Sequence, residues 1–434
     1  MKASKEMSKI AILGFGKEGM ALYKYFKTQN CMIDIYDEKI IDIPIDFTGR
    51  IFVGFEMQHK YDKIFKSPGI SVHKIKSTYQ KIEKFDSLIN LLFSKLDTKQ
   101  VIGVTGTKGK STVSSLIHHI LVTNNKKSEL LGNIGNINPQ LFDHFDKDCF
   151  YVFELSSFQT EFLQYSPHIA VFTSFFVDHQ DVHANMSEYL NAKLNLVLHQ
   201  KKEDFCIMSE QFEQVLQNNK INLQTNLKVK SDIEIIDNNF NYLQTTLLGN
   251  HNQINCQLAM STCLKLGLTK EEIIKSIKSY QPLAGRLEMI GEHNGIKFYA
   301  DDLATIPEAT WSGIQSLERQ NLTTLITGGY DKGLDYELLA KNLVNTKIQN
   351  YIYFEPTGNM ITKYLDKKQV NLIKVNNMQE AVEKAFEITK SGQTCLLSCA
   401  SASFGLFKNA YDRGEQYRFW VKEIASIHSS KQID

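Results

Sequence analysis

The stretch Val101-Ile102-Gly103-Val104-Thr105-Gly106-Thr107-Lys108-Gly109-Lys110-Ser111-Thr112 is an apolar, strand-forming run that breaks into glycines and resumes as a helix. Few local structures accept that order. Small residues let the backbone wrap a polyphosphate, whose charge is met by N–H groups at the start of the following helix. In such a loop Lys110 reaches the terminal phosphates and the Ser111 hydroxyl holds Mg²⁺. The common phosphate-loop pattern places a glycine where this chain has Val104, so the match is to a variant, T-G-T-x-G-K-S-T. A strand–loop–helix of this kind belongs in a parallel α/β sheet.

The surrounding pattern agrees. Apolar runs at Val101 to Val104, Phe150 to Phe153, Ile169 to Phe172 and Phe205 to Met208 alternate with helical stretches, as in a sheet covered on both faces. Gln211 to Asn241 is polar and reads as irregular or as short strands on one edge; Asn252 to Leu264 returns as a helix. Upstream, Lys9 to Leu13, a glycine turn, a helix through Ala21 to Tyr23 and a strand from Met32 to Tyr36 make a βαβ unit, followed by the Ser67-Pro68-Gly69 turn. Downstream, candidate strands at Lys297 to Tyr299, Thr323 to Ile326, Tyr351 to Phe354 and Thr394 to Leu397 give a second doubly wound pattern. The expected architecture is α/β in three domains: a Rossmann-like domain over 1–95, a central P-loop ATPase-like domain with a parallel sheet over 96–281, and a Rossmann-like domain over 282–434. A chain of 434 residues is too long for one core.

Composition removes several classes of function. With 49 basic and 48 acidic residues, the charge balance asks for neither a nucleic acid nor a membrane surface. No run approaches the eighteen or so apolar residues of a spanning helix, and the N-terminal run is too short for a signal-peptide core. The seven cysteines lack a C-x-x-C pair, which argues for buried thiols in a reducing cytosol.

Other polar clusters lie where strands end. Gly14-Phe15-Gly16-Lys17-Glu18-Gly19 matches G-x-G-x-x-G, with Asp37 closing the next strand and able to accept from a ribose or base edge. That motif marks a nucleotide-shaped crevice without naming the nucleotide; a plain tight turn is its structural alternative. A dehydrogenase would leave the second, ATP-type loop unexplained. Asn133-Ile134-Gly135, Glu154-Leu155-Ser156-Ser157-Phe158-Gln159 and Asp178-His179-Gln180-Asp181-Val182-His183 also follow apolar strands. Oxygen ligands with an occasional imidazole suit Mg²⁺ beside a triphosphate, although a lone histidine is more often a satisfied structural residue.

Together these stretches resemble the Mur ligase family, and within it the glutamate-adding branch. The resemblance is carried by Thr105 to Thr112, by Glu154 to Gln159, and by Gly249-Asn250-His251-Asn252-Gln253-Ile254-Asn255. Further along it is carried by Gly285-Arg286-Leu287-Glu288, Gly328-Gly329-Tyr330-Asp331-Lys332-Gly333, Ser401-Ala402-Ser403-Phe404, Phe407-Lys408-Asn409 and Arg413-Gly414. It implies an ATP- and Mg²⁺-dependent ligase that joins glutamate to UDP-N-acetylmuramoyl-L-alanine through an acyl phosphate, as a cytoplasmic monomer. Gly106, Thr107, Lys108, Gly109, Lys110, Ser111, Thr112, Asn255 and Arg286 would bind the nucleotide. Ser111, Glu154, His179 and a carbamylated Lys193 would hold metal, with Lys110, Glu154, His179 and Lys193 catalytic. Gly14, Phe15, Gly16, Asp37, Ser67, Asn133, Ser157 and Gln159 would contact the UDP precursor, and Thr305, Lys332 and Ser403 the amino acid. Two departures stand out. Leu303 occupies the position of a family lysine, and Gly405 and Ala410 replace an acidic residue and an aromatic. D-glutamate is the default the resemblance implies, and these departures keep L-glutamate open. A folylpolyglutamate-type ligase and a non-catalytic nucleotide sensor are the competing readings; retention of Lys110, Glu154 and His179 argues against the sensor.

Overall fold

A computed structural model of the chain describes residues 7–40, 42, 44, 46–57, 60–71, 75, 84–134, 145–178, 183–225, 227–236 and 245–430. They form three sheets in two compact units, Met1–Tyr242 with Ile254–Tyr280, and Leu243–Gln253 with Gln281–Asp434.

The first unit contains two all-parallel sheets. One has the order β3-β2-β1-β4-β5, from β1 Ser8–Leu13, β2 Cys31–Asp37, β3 Arg50–Val53, β4 Lys63–Lys66 and β5 Phe85–Asp86. The other is ordered β11-β10-β9-β6-β8-β7, from β6 Val101–Thr105, β7 Lys127–Gly132, β8 Cys149–Glu154, β9 Ile169–Phe172, β10 Phe205–Ser209 and β11 Asp232–Ile236. β6 and β9 are buried at every position, which is why they read as continuous apolar runs. One cluster of buried side chains joins the two sheets: Phe93, from the helix Leu88–Phe93, meets the Phe153 ring edge-on at 5.0 Å.

The second unit has one mixed sheet, β12-β13-β17-β14-β15-β16, from β12 Glu288–His293, β13 Ile296–Ala300, β14 Leu322–Gly328, β15 Asn350–Phe354, β16 Asn371–Lys374 and β17 Thr394–Leu397. Alternation along the strands sorts its two faces. Leu325, Tyr351 and Leu396 pack with Ile314, Leu339 and Ile361. Ile326, Ile352 and Leu397 pack with Met378, Val382, Tyr417 and Val421.

One expectation needs correction. Part of the polar stretch after Gln211 is a helix, Glu210–Asn218, capped by Ser209, whose hydroxyl accepts from Phe212 N–H at 3.2 Å. Its buried face is only Phe212 and Leu216, four residues apart, so glutamine and asparagine dominate the composition. β11 does form the anticipated edge strand. The last sheet is not purely parallel: β12 runs antiparallel to β13 through a hairpin at Asn294 and Gly295, whose φ values are 53° and 73°. An Asn-Gly pair supplies the two positive φ angles of that turn.

Candidate active site

Ligands of open α/β sheets lie at strand carboxyl ends, where neighbouring strands send the chain in opposite directions. Each sheet here has such a point, and the candidate residues gather at all three.

In the second sheet β6 lies between β8 and β9, so its glycine loop is flanked by the segments that leave those two strands. The β9 side pins the loop. Thr107 N–H donates to Ser174 O at 2.7 Å, Lys108 N–H donates to Ser174 Oγ at 2.9 Å, and Thr173 Oγ1 donates to Lys108 O at 2.6 Å. These two amides therefore shape the loop and do not point into it. The helix Lys110–Thr123 begins behind Gly109 without a side-chain cap among the described residues, and a helix start of that kind is suited to an anion. Gly109 has φ +89°, and a Cβ there would lie 2.6 Å from Asn255 Oδ1, so only glycine fits beside buried Asn255. Lys110 Nζ donates to Thr107 O at 2.9 Å, and Lys108 pairs with Asp178 at 3.3 Å. Ser111 and Thr112 open the helix, part-exposed.

On the β8 side, pairing of Val104 with Glu154 sets the carboxylate at the loop's level. Glu154 is 2% exposed. Its Oε1 accepts from Asn133 Nδ2 at 3.3 Å, while Oε2 is buried with no partner among the described residues. A buried carboxylate oxygen without a donor is costly, and a cation would satisfy it. Lys193, on the helix Met186–Leu194, reaches the loop from beneath. It is 1% exposed, donates to Gly106 O at 2.8 Å and lies 4.5 Å from the Tyr189 ring centroid. Burial, reinforced by Lys110, holds its ammonium well below the usual lysine range. His179 falls outside the described residues. The histidine the fold presents nearby is His183, whose Nε2 lies 2.9 Å from Ser157 Oγ and whose ring stacks on Phe158. Among the described residues, no group of three or more His, Cys, Asp or Glu is arranged to hold a metal.

At the first sheet's switch point, β1 and β4 are adjacent: Ser67 N–H donates to Leu13 O at 2.8 Å and Ser67 Oγ to Gly14 O at 2.9 Å. Asp37 accepts from Phe15 N–H at 2.8 Å and from Lys39 N–H at 3.2 Å, so it holds the turn that carries Gly14, Phe15 and Gly16. A network that the motifs did not announce links this loop to the Glu154 loop. Gln159 Oε1 accepts from Ser156 N–H at 3.0 Å, which leaves its Nε2 to donate to Glu18 Oε1 at 2.7 Å. Glu18 Oε2 is buried without a partner among the described residues, and burial pushes the carboxyl up to about 7. Buried Lys66 pairs with Glu161 at 3.4 Å and lowers the Glu18 value in part. Glu18 could have been noticed as the acidic residue inside the glycine motif; its partner stands 141 positions away.

In the second unit, Arg286 follows the Gly285 turn and acts electrostatically on Asp301, whose carboxyl burial raises to about 6. Thr305 is part-exposed between β13 and the helix Pro307–Ser316. Lys332 and Ser403 follow β14 and β17, whose ends are joined by Tyr330 N–H donating to Ala402 O at 3.0 Å. Fully buried Arg413 braces this corner through Ser401 O at 3.0 Å and Asp302 O at 2.7 Å. All seven cysteines are unpaired and six are buried. No helix among the described residues is long and apolar enough to cross a membrane.

A phosphate-type glycine loop at a parallel switch point, with a buried carboxylate and lysine beside it, defines a nucleotide-binding α/β protein of the P-loop class. Residues 104–263 match the Mur ligase middle domain, and residues 285–401 the Mur ligase, glutamate ligase domain. The UDP-N-acetylmuramoylalanine–D-glutamate ligase of Christiangramia forsetii is 30% identical, covering 96% of this chain and 99% of that protein. The enzyme of the same name from Bacteroides fragilis is 32% identical over 84% of this chain and 86% of its own. Among solved structures, the ligase MurF of Thermotoga maritima in complex with ADP superposes with a TM-score of 0.60 at 15% identity, covering 99% and 98% of the two chains. The UDP-N-acetylmuramate-alanine ligase of Thermotoga maritima does so with a TM-score of 0.59 at 17% identity, covering 96% and 99%. The chain belongs to the Mur ligase family.

Proposed function

We propose that this chain is an ATP-dependent amide ligase that joins D-glutamate to UDP-N-acetylmuramoyl-L-alanine, a step in building the peptidoglycan precursor. The observation that carries the reading is the pairing of the Gly106–Thr112 loop with a buried, half-satisfied Glu154 carboxylate. The names of relatives at 30% and 32% identity support it.

A carboxylate is a poor electrophile. Its oxygen therefore attacks the γ-phosphorus of ATP, ADP leaves, and an acyl phosphate results. The glutamate amine, deprotonated, attacks the acyl carbon; phosphate leaves and an amide remains. Lys110 and the helix start behind Gly109 bind the phosphates and meet the charge that spreads over the transferring group. Oxygen-rich Ser111 and Glu154, with His179, are the residues that would hold Mg²⁺, and the unpartnered Glu154 Oε2 fits that demand. When bound, Mg²⁺ neutralises phosphoryl charge. Lys193 would join them as a carbamate: burial disfavours its ammonium, and the amine form is the one whose nitrogen can bond to CO₂, releasing a proton. Asn255 and Arg286 contact the nucleotide. Gly14 to Gly16, Asp37, Ser67, Asn133, Ser157 and Gln159 position the UDP precursor, and Thr305, Lys332 and Ser403 receive glutamate. The work divides among residues 1–95, 96–281 and 282–434. L-glutamate is the second reading, favoured by Leu303, which cannot pair with a carboxylate where the family has a lysine.

Phosphate release is expected only when ATP, Mg²⁺, the UDP-muramoyl-alanine acceptor and glutamate are all present, with D-glutamate preferred over L-glutamate. Lys110→Ala abolishes turnover and leaves binding of the UDP precursor intact. Failure of both enantiomers removes glutamate as the substrate.

A further inference from the structure

The switch point of the second unit's sheet exposes two large aromatic rings that none of the roles above uses. β14 and β17 are neighbours, yet the chain leaves them toward opposite faces: one path leads to Leu339, in one apolar layer, the other to Tyr417, in the other. Open sheets bind small molecules at a switch point of this kind. Gly329 lets the two loops approach, since a Cβ there would lie 2.7 Å from Ala402 O. Tyr330, 47% exposed, and Phe404, 54% exposed, face each other edge-to-face across this corner, with ring centroids 5.8 Å apart at 87°. Lys332 Nζ lies over the Phe404 ring, 5.8 Å from its centroid.

The partner chosen for that ammonium matters. Among the described residues no carboxylate pairs with Lys332, and the face of an aromatic ring holds it instead. A ring attracts a cation through its quadrupole and so orders the side chain without cancelling its charge. A carboxylate in the same place would order it equally well, but would neutralise it and repel an acidic ligand. A lysine steered but not neutralised, at a sheet switch point that also carries buried Ser403, is suited to receive an anion. We propose that Phe404 is a positioning and specificity residue of the amino-acid subsite: its ring, braced by Tyr330, carries the Lys332 ammonium to a carboxylate of the incoming glutamate. This rests on the reading of Lys332 and Ser403 as glutamate contacts.

Steady-state kinetics of the full chain, varying glutamate at saturating ATP, Mg²⁺ and UDP-muramoyl-alanine, test it with Phe404→Leu and Phe404→Tyr. Leucine keeps apolar bulk and loses the π face; tyrosine keeps both. Phe404→Leu is expected to raise KM for glutamate about two- to fivefold, the range of an exposed cation–π contact, with kcat and the KM values of ATP and the UDP substrate unchanged. Phe404→Tyr stays at the wild-type value. In a Lys332→Met background, Phe404→Leu adds nothing further. An unchanged KM for Phe404→Leu, or the same increase with and without Lys332, overturns the proposal while the ligase reading stands. A wild-type chain that ligates no glutamate overturns both.

Discussion

Glu18 offers a titration whose sign and size are set by its surroundings. Its carboxyl is buried, with one oxygen taken by Gln159 and the other unpartnered among the described residues. Desolvation raises its pKa from 4.5 to about 7, outweighing the lowering by Gln159 and Lys66. An unfolded chain releases this proton near 4.5, whereas the native chain keeps it until about 7. Between those values the native state binds more protons, so stability falls as pH rises. The contribution is fully present below 4.5 and lost above about 7; at about 1.4 kcal/mol per pKa unit it amounts to about 3 kcal/mol. Glu18→Gln cannot ionise and keeps an oxygen for Gln159. Urea denaturation of both proteins from pH 5 to 8 measures the difference, and titrations common to the two cancel. Glu18→Gln is expected to gain on the wild type as pH rises to about 7 and then to hold a lead of about 3 kcal/mol to pH 8. A difference that is flat with pH, or that turns against Glu18→Gln as pH rises, refutes the reasoning.

Two further outcomes test the central loop. Gly109→Ala must place a Cβ 2.6 Å from Asn255 Oδ1 at φ +89°; it should raise KM for ATP by about tenfold or more, read by initial rates at varied ATP, and a wild-type KM counts against the loop geometry. Lys193→Met preserves bulk but removes the contact to Gly106 O. Its kcat should fall by about a hundredfold or more while ADP binding by calorimetry changes little; turnover near wild type removes Lys193 from the chemistry.

The central and last sheets are largely legible in residue order alone. β6, β9 and β17 are buried along their whole length, so they show as short, nearly continuous apolar runs bounded by turn residues. The Glu210–Asn218 helix is hidden because two buried side chains are too faint a stripe against its glutamines. The β12 hairpin is hidden although Asn294-Gly295 announces it, because the repeating parallel pattern beside it masks an antiparallel edge strand. Lys127–Gly132 is hidden because its outer positions are part-exposed and polar.

Local order specified the glycine loop, its preceding strand and the helix behind it, because φ angles and strand-to-helix hydrogen bonding involve residues only a few positions apart. What that order could not contain is which polar groups end up buried together. Glu154 lies beside the loop because β8 pairs with β6; Lys193 reaches Gly106 across 87 positions, and Gln159 reaches Glu18 across 141. Those contacts, and the pKa values they set, depend on strand order and on the water each group loses. Only the folded chain decides both.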